Sequence, residues 1–316
     1  MKKQIIAAAV AATLTSVAFA DVSITGAMKA NYKQTETGGT NDNNVTTEAN
    51  LYVVGKTGDT VVHWEFDHDS ADGQGEDLDV EDQWMSTKVG DTKIKVGTWN
   101  GSDSILSADS ARATGKWEVN QSVGGVSVTA EGSNSEAAGA HNGNVSVTAA
   151  TSVMDNNVSV KVENAQNQYK ISGSYAGVNY AYHTVSADAA NSDKTSIQLG
   201  TTIAGIGVEY VAADADSSAT ITGDSWFGDV TAFNTAMTAG DDIQGVGLST
   251  SIAGNKVTGK FFTNEVDGGT DIDFTKLIIT RPLAGGTTLE VVYTDEDASG
   301  SSSDKTTVDV ELAVKF

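Results

Sequence analysis

Carboxylates dominate the side chains that could do chemistry. Asp67, Asp69, Asp72, Glu76, Asp77, Asp79, Glu81 and Asp82 crowd one short stretch. So many hard oxygens could hold calcium, with Asp69, Asp72, Glu76 and Asp77 as candidate ligands, or bridge anionic headgroups through divalent ions. The stretch lacks the ligand-and-glycine spacing of an EF-hand loop, which favours a solvated acidic loop. His63, His68, His141 and His183 are scattered among loops and strands. No serine occupies a Gly-x-Ser-x-Gly elbow, so no motif anchors an enzyme. There is no cysteine, which excludes disulfides and thiolate metal sites, and no cofactor motif is found.

The elements that must carry these residues are strands. In the last stretch, Val308, Val310, Leu312, Val314 and Phe316 share one parity, and Asp309, Glu311, Ala313 and Lys315 share the other. Successive strand side chains point to opposite faces, so this is one apolar and one charged face. The pattern recurs. Val22, Ile24, Met28, Ala30 and Tyr32 oppose Lys29, Asn31 and Lys33; Val62, Trp64 and Phe66 oppose His63, Glu65 and Asp67; Val158, Val160 and Val162 oppose Ser159, Lys161 and Glu163. One proline among 316 residues leaves long stretches free to pair.

Met1 to Ala20 reads as a cleaved signal peptide: Lys2 and Lys3, an apolar run from Ile5 to Val17, then Ala18-Phe19-Ala20. The mature chain, residues 21–316, then forms one domain. Removing two of the 19 basic residues leaves 17 against 42 acidic ones, a formal charge of −25. That balance argues against a nucleic-acid partner. No later segment is long and apolar enough to be a transmembrane helix. A mean hydropathy of −0.20 also suits a barrel with a wet interior, where only alternate residues meet lipid.

Turn signals fall near Gly58-Asp59, Gly90-Asp91, Gly124-Gly125, Asp155-Asn156, Ala176-Gly177, Ala204-Gly205, Ala253-Gly254 and Gly285-Gly286. Longer polar connections alternate with them, and Thr35 to Asn44 reads as another polar loop. Short turns at one end and long loops at the other are the asymmetry of outer-membrane barrels. The pattern predicts an all-β fold: a transmembrane antiparallel up-and-down β-barrel of 16–18 strands, the count favouring eighteen. A β-helix or a secreted β-sandwich is the competing arrangement.

The mature chain resembles the trimeric diffusion porins of Gram-negative outer membranes. Leu51-Tyr52-Val53-Val54-Gly55-Lys56 and Trp64-Glu65-Phe66-Asp67 are similar to their second and third strands. Lys95-Val96-Gly97-Thr98-Trp99-Asn100, before a Ser/Asp/Ala segment, looks like the fifth strand entering an inward-folded third loop. Lys116-Trp117-Glu118-Val119 and Gly124-Gly125-Val126-Ser127-Val128 look like the hairpin after it. Val314-Lys315-Phe316 matches the family's ending. Two features depart: general porins have sixteen strands, and only Arg112 and Arg281 are available for the arginine cluster common in their pores.

The resemblance implies a homotrimeric, water-filled channel for passive diffusion of small hydrophilic solutes and ions. It lies in outer-membrane lipid and lipopolysaccharide, and Phe316 is read by the insertion machinery. The third loop folds into the lumen, with Asp103, Asp109 and Arg112 at the constriction. Alternation places Lys29, Lys33, Glu65, Asp67, Lys93 and Lys95 on the lumen wall, where opposed charges orient polar solutes. The large acidic excess predicts cation preference. The rival reading is a closed or plugged barrel with a surface structural or adhesive role.

Overall fold

The computed structural model describes residues 21–69, 79–99, 113–133, 145–163, 166–187, 193–215, 241–265, 271–298 and 304–316, with four two-residue strands between 219 and 237. The signal segment 1–20 lies outside the described residues. So do Asp72, Glu76, Asp77, Asp103, Asp109 and Arg112. Asp69 ends its strand.

Eighteen strands make one antiparallel sheet. We number them β1 (Asp21–Thr37), β2 (Thr40–Thr57), β3 (Thr60–Asp69), β4 (Asp79–Val89), β5 (Thr92–Trp99), β6 (Ala113–Val123), β7 (Val126–Gly132), β8 (Val145–Val153) and β9 (Asn156–Glu163). The second half holds β10 (Gln166–Tyr175), β11 (Val178–Ala187), β12 (Lys194–Ile203), β13 (Ile206–Ala215), β14 (Asp241–Ile252), β15 (Asn255–Glu265), β16 (Ile272–Pro282), β17 (Thr287–Ala298) and β18 (Lys305–Lys315). Each strand pairs with the next, and β1 pairs with β18 from Ala27↔Lys315 to Thr37↔Lys305, so the sheet closes on itself. Closure leaves no edge, which lets strands cross hydrocarbon with their backbone groups satisfied.

Cross-strand partners share a face, so the register assigns every side chain in or out. Ile24↔Val53↔Trp64, and Tyr32↔Val310↔Val291, carry the apolar parity from strand to strand. On this face Ile24 is 60% and Met28 48% exposed, large apolar side chains that a soluble sheet would bury. The opposite face carries the charges and is the interior.

Connections leaving even-numbered strands are short and lie at one rim. Gly58 (φ 56°) leads one two-residue turn, and Ala204–Gly205 (φ 51° and 82°) makes another with both residues left-handed. Such turns follow the twist of paired strands. The turn expected at Asp155-Asn156 sits one residue earlier, with Met154 and Asp155 at φ 49° and 66° and Asn156 opening β9. Opposite, the predicted loop from Thr35 to Asn44 is replaced by strand. β1 and β2 stay in register to Thr37↔Thr40, joined only by Gly38 and Gly39 (φ 55° and 80°). Polar composition misled there because a hairpin standing above lipid is wet on both faces.

Phe316 completes the seam. Its N–H donates to the Gly26 carbonyl at 2.9 Å, and the Gly26 N–H donates to the Phe316 carbonyl at 2.7 Å. A Cβ on Gly26 would stand 2.6 Å from the Phe316 ring, so glycine makes the slot in which the ring lies on the outer wall.

The face assignment is testable by stability. Val310 pairs with Tyr32 and Val291 on the outer face, while Glu311 pairs with Asn31 and Glu290 on the inner. Val310→Arg should cost about 2–4 kcal/mol if near the bilayer midplane, and Glu311→Arg less than about 1 kcal/mol. Denaturant unfolding in vesicles reads both; a larger loss in Glu311→Arg would mean the faces are reversed, and equal losses would mean that neither face meets lipid.

Candidate functional site

The interior is two-sided. On β11 and β13–β16 the inner parity carries Val185, Val211, Ala213, Ile243, Phe262 and Phe274, all buried. Lys260 and Glu209 lie buried on the same wall, opposite Gly247. A lumen lined throughout by polar residues is therefore not what forms. Their inner face thus mixes apolar and charged side chains, and adjacent phenylalanines face opposite ways, Phe261 out and Phe262 in, so simple alternation fails for them. From β17 round to β9 the inner face is instead charged and half-exposed. That sector is the candidate site.

The register places each wall residue singled out in the sequence. Lys29 and Lys33 lie on the inner face of β1, opposite Ala313 and Asp309 of β18. Glu65 and Asp67 lie on that face of β3, opposite Tyr52 and Asn50. Lys93 and Lys95 lie on that face of β5, opposite Asn120 and Glu118.

Ion pairs and hydrogen bonds hold these groups in place. Lys29 Nζ donates to both oxygens of Glu48, at 3.2 and 3.1 Å, and Asn50 Nδ2 donates to Glu48 Oε1 at 2.7 Å. Lys161 bridges two acids: its Nζ lies 2.9 Å from Glu131 Oε1 and 2.6 Å from Glu163 Oε1. Ser146 Oγ donates to the same Glu131 oxygen at 2.9 Å. Paired charges pinned at a wall form fixed dipoles that act on a neighbouring polar group without first reorganising.

Between these two groups lies an aromatic cluster. The Lys95 ammonium stands 4.4 Å from the Trp84 ring centre and 4.1 Å from that of Trp99, within cation–π range of both. Lys116 Nζ donates to the Trp99 carbonyl at 2.9 Å and stands 5.4 Å from the same ring. His63 stacks on Trp84, centroids 4.9 Å apart and planes 15° apart, and Tyr52 tilts toward His63 at 6.4 Å.

Two breaks in strand register build this cluster. The β3–β4 register shifts between Trp64↔Gln83 and Phe66↔Val80, so β4 spends one extra residue opposite Glu65. The β5–β6 register shifts between Gly97↔Lys116 and Trp99↔Ala113. A bulge re-aims the side chains beside it. Gly97 has φ 139°, and a Cβ there would overlap the Gln83 carbonyl oxygen, so only glycine lets β4 and β5 approach with Trp84 and Trp99 both turned inward.

The first bulge also gathers ligand atoms. One from each of His63, Glu65 and Asp82 falls within 4.8 Å of the others, all three half-buried. His63 is thus not scattered as the sequence suggested. His63 and Glu65 share a parity, which is legible, but Asp82 joins them only through the register shift. His183, in contrast, is buried on β11, with Nε2 3.3 Å from Gln168 Oε1.

No family model matches the sequence, and no curated protein is significantly similar to it. The fold is shared with solved structures. OccK3 (OpdO) of Pseudomonas aeruginosa superposes with TM-score 0.68 at 9% identity, over 94% of this chain and 96% of that one. The outer membrane protein OpdK of the same organism gives 0.68 at 10%, over 94% and 98%. Wzi of Escherichia coli, described as a carbohydrate-binding β-barrel involved in group 1 capsule assembly, gives 0.65 at 10%, over 99% and 88%. The architecture is therefore that of outer-membrane β-barrels of Gram-negative bacteria.

The Lys161 bridge yields a stability test. Lys161→Met leaves Glu131 and Glu163 facing one another without their cation and should cost about 1 kcal/mol, because all three groups are partly wet. Adding Glu131→Gln should recover part of that loss. A double-mutant cycle reads the coupling, and strict additivity would mean that the bridge contributes nothing.

Proposed function

We propose that this protein is a diffusion channel of the outer membrane. It passes small hydrophilic solutes and ions along the charged sector from β17 to β9, with a preference for cations. The carrying observation is the opposition of an apolar exterior and half-exposed fixed charges, such as Lys29–Glu48 and Glu131–Lys161–Glu163, on the interior of an eighteen-stranded barrel. Eighteen strands enclose enough space for water unless a segment fills it. The chain performs no catalysis in this reading. The buried inner wall of β13–β16 favours one rival, a plugged barrel with a surface role, and conductance separates the two.

Cation preference follows from the charge of the mature chain, −25 by the count above, and from the acids of the wall between β17 and β4. Glu290 and Glu311 stand directly opposite one another there, with Glu48, Glu65 and Asp82 beyond. Salt screens such charges over about 10 Å at 0.1 M, so the preference should weaken as salt rises. Asp103 and Asp109 belong to the proposed constriction loop. Neutralising both to asparagine should reduce the preference more than neutralising Asp77 and Asp79. The measurement is reversal potential across a KCl gradient in planar bilayers. Anion preference in the parent would overturn the selectivity; absence of conductance would overturn the channel.

Removal of residues 1–20 during export, assembly as a homotrimer and insertion guided by Phe316 complete the proposal. Lys2 and Lys3, the apolar run from Ile5 to Val17 and the Ala18-Phe19-Ala20 ending support the first. The exposed Phe316 ring, seated over Gly26, supports the last. Deleting Phe316 should strand the chain in the periplasm. Gly26→Val keeps the aromatic residue but displaces its ring and should slow membrane accumulation less. Fractionation reads both, and a normal outer-membrane level of the truncated chain would remove Phe316 from the signal. Light scattering on the detergent-solubilised barrel tests the trimer.

A further inference from the structure

We propose that His63, Glu65 and Asp82 form a binding site for a divalent transition-metal ion of the zinc class on the inner wall. Three atoms on one zinc ion lie at most about 4.2 Å apart, twice a bond of about 2.1 Å. The three groups already fall within 4.8 Å, so small side-chain rotations close the set. One imidazole and two carboxylates suit zinc, nickel, cobalt or copper. Calcium and magnesium demand more oxygens and gain nothing from imidazole, so the site discriminates against the commoner hard cations.

Two features pre-position the ligands. The stack of His63 on Trp84 fixes the plane of the imidazole, and the extra residue of β4 turns Asp82 toward Glu65. Two groups oppose binding: Lys95, which stands 4.4 Å from the Trp84 ring centre and acts on His63 and Asp82, and Lys116, which also acts on Asp82. Glu118 acts on Lys95 and Glu131 on Lys116, so with Glu65 and Asp82 the carboxylates still outnumber the two ammoniums, and Trp84 and Trp99 hold Lys95 by its charge. The remaining coordination positions go to water, because all three ligands are half-exposed toward the interior. A bound ion cancels the negative excess of this patch of wall, so it should lower cation current. That effect rests on the channel reading, whereas binding itself does not.

The refolded full-length barrel in detergent is titrated with Ni2+, a paramagnetic quencher, while tryptophan fluorescence is followed. Trp84 stacks on the proposed ligand, so a saturable quench is expected that disappears in Trp84→Phe. Zn2+ should reverse it and Mg2+ should not. His63→Gln and, independently, Asp82→Asn should weaken Zn2+ competition at least about tenfold. In bilayers, Zn2+ should reduce parent current and leave His63→Gln unaffected. Quenching that is unsaturable, equal in both variants, or reversed equally by Mg2+ would overturn the site, leaving only a screened acidic patch. A parent that quenches as expected but carries no current would instead refute the channel and leave the metal site standing.

Discussion

Every backbone N–H and C=O that crosses hydrocarbon must be bonded within the protein, and the β1–β18 seam is where this chain meets that demand. The two strands are the most distant in sequence. Their pairing brings together the two ends of the barrel, and the last bonds it makes are those between Phe316 and Gly26. Until they form, both strands present open edges. Once they form, the wall has a fixed inside and outside, and the function of each residue follows from its parity.

Because closure sets the faces, the interior can be elaborated locally without disturbing the wall. The sector from β17 to β9 keeps a charged inner face held by paired groups. The sector from β13 to β16 buries its inner face, where Val211, Ile243, Phe262 and Phe274 lie beside Glu209 and Lys260. A half-exposed and a buried sector share one cylinder. Bulges concentrate the interior detail further. At Trp64/Phe66 and Gly97/Trp99 the ladder yields a residue and gains an inward-turned aromatic and acidic cluster.

Much of this was legible residue by residue. The parity of Lys29, Glu65, Lys93 and Lys95 could be read because their neighbours are apolar and a strand has only two faces. The rhythm of Gly-Asp, Gly-Gly and Ala-Gly pairs marked the tight-turn rim. Reading failed where composition stood in for geometry. The Thr35–Asn44 segment is polar yet stranded, because it projects beyond the apolar belt. His63 seemed isolated because the residue that completes its cluster, Asp82, lies across a strand pair at a register that no local pattern encodes.

The amino-acid order alone determined that this chain is a run of strands with an apolar and a charged parity, joined by tight turns. Alternation with period two and turn residues with positive φ are local properties, expressed wherever the chain is. Only the tertiary structure decided closure, because Phe316 and Gly26 meet through the register of all eighteen strands. It decided equally which charges become neighbours. Lys161 meets Glu131 across β8, and His63 meets Asp82 at the β3–β4 bulge, through pairing registers that neither residue carries by itself. A slip of one position would send every one of those side chains to the opposite face.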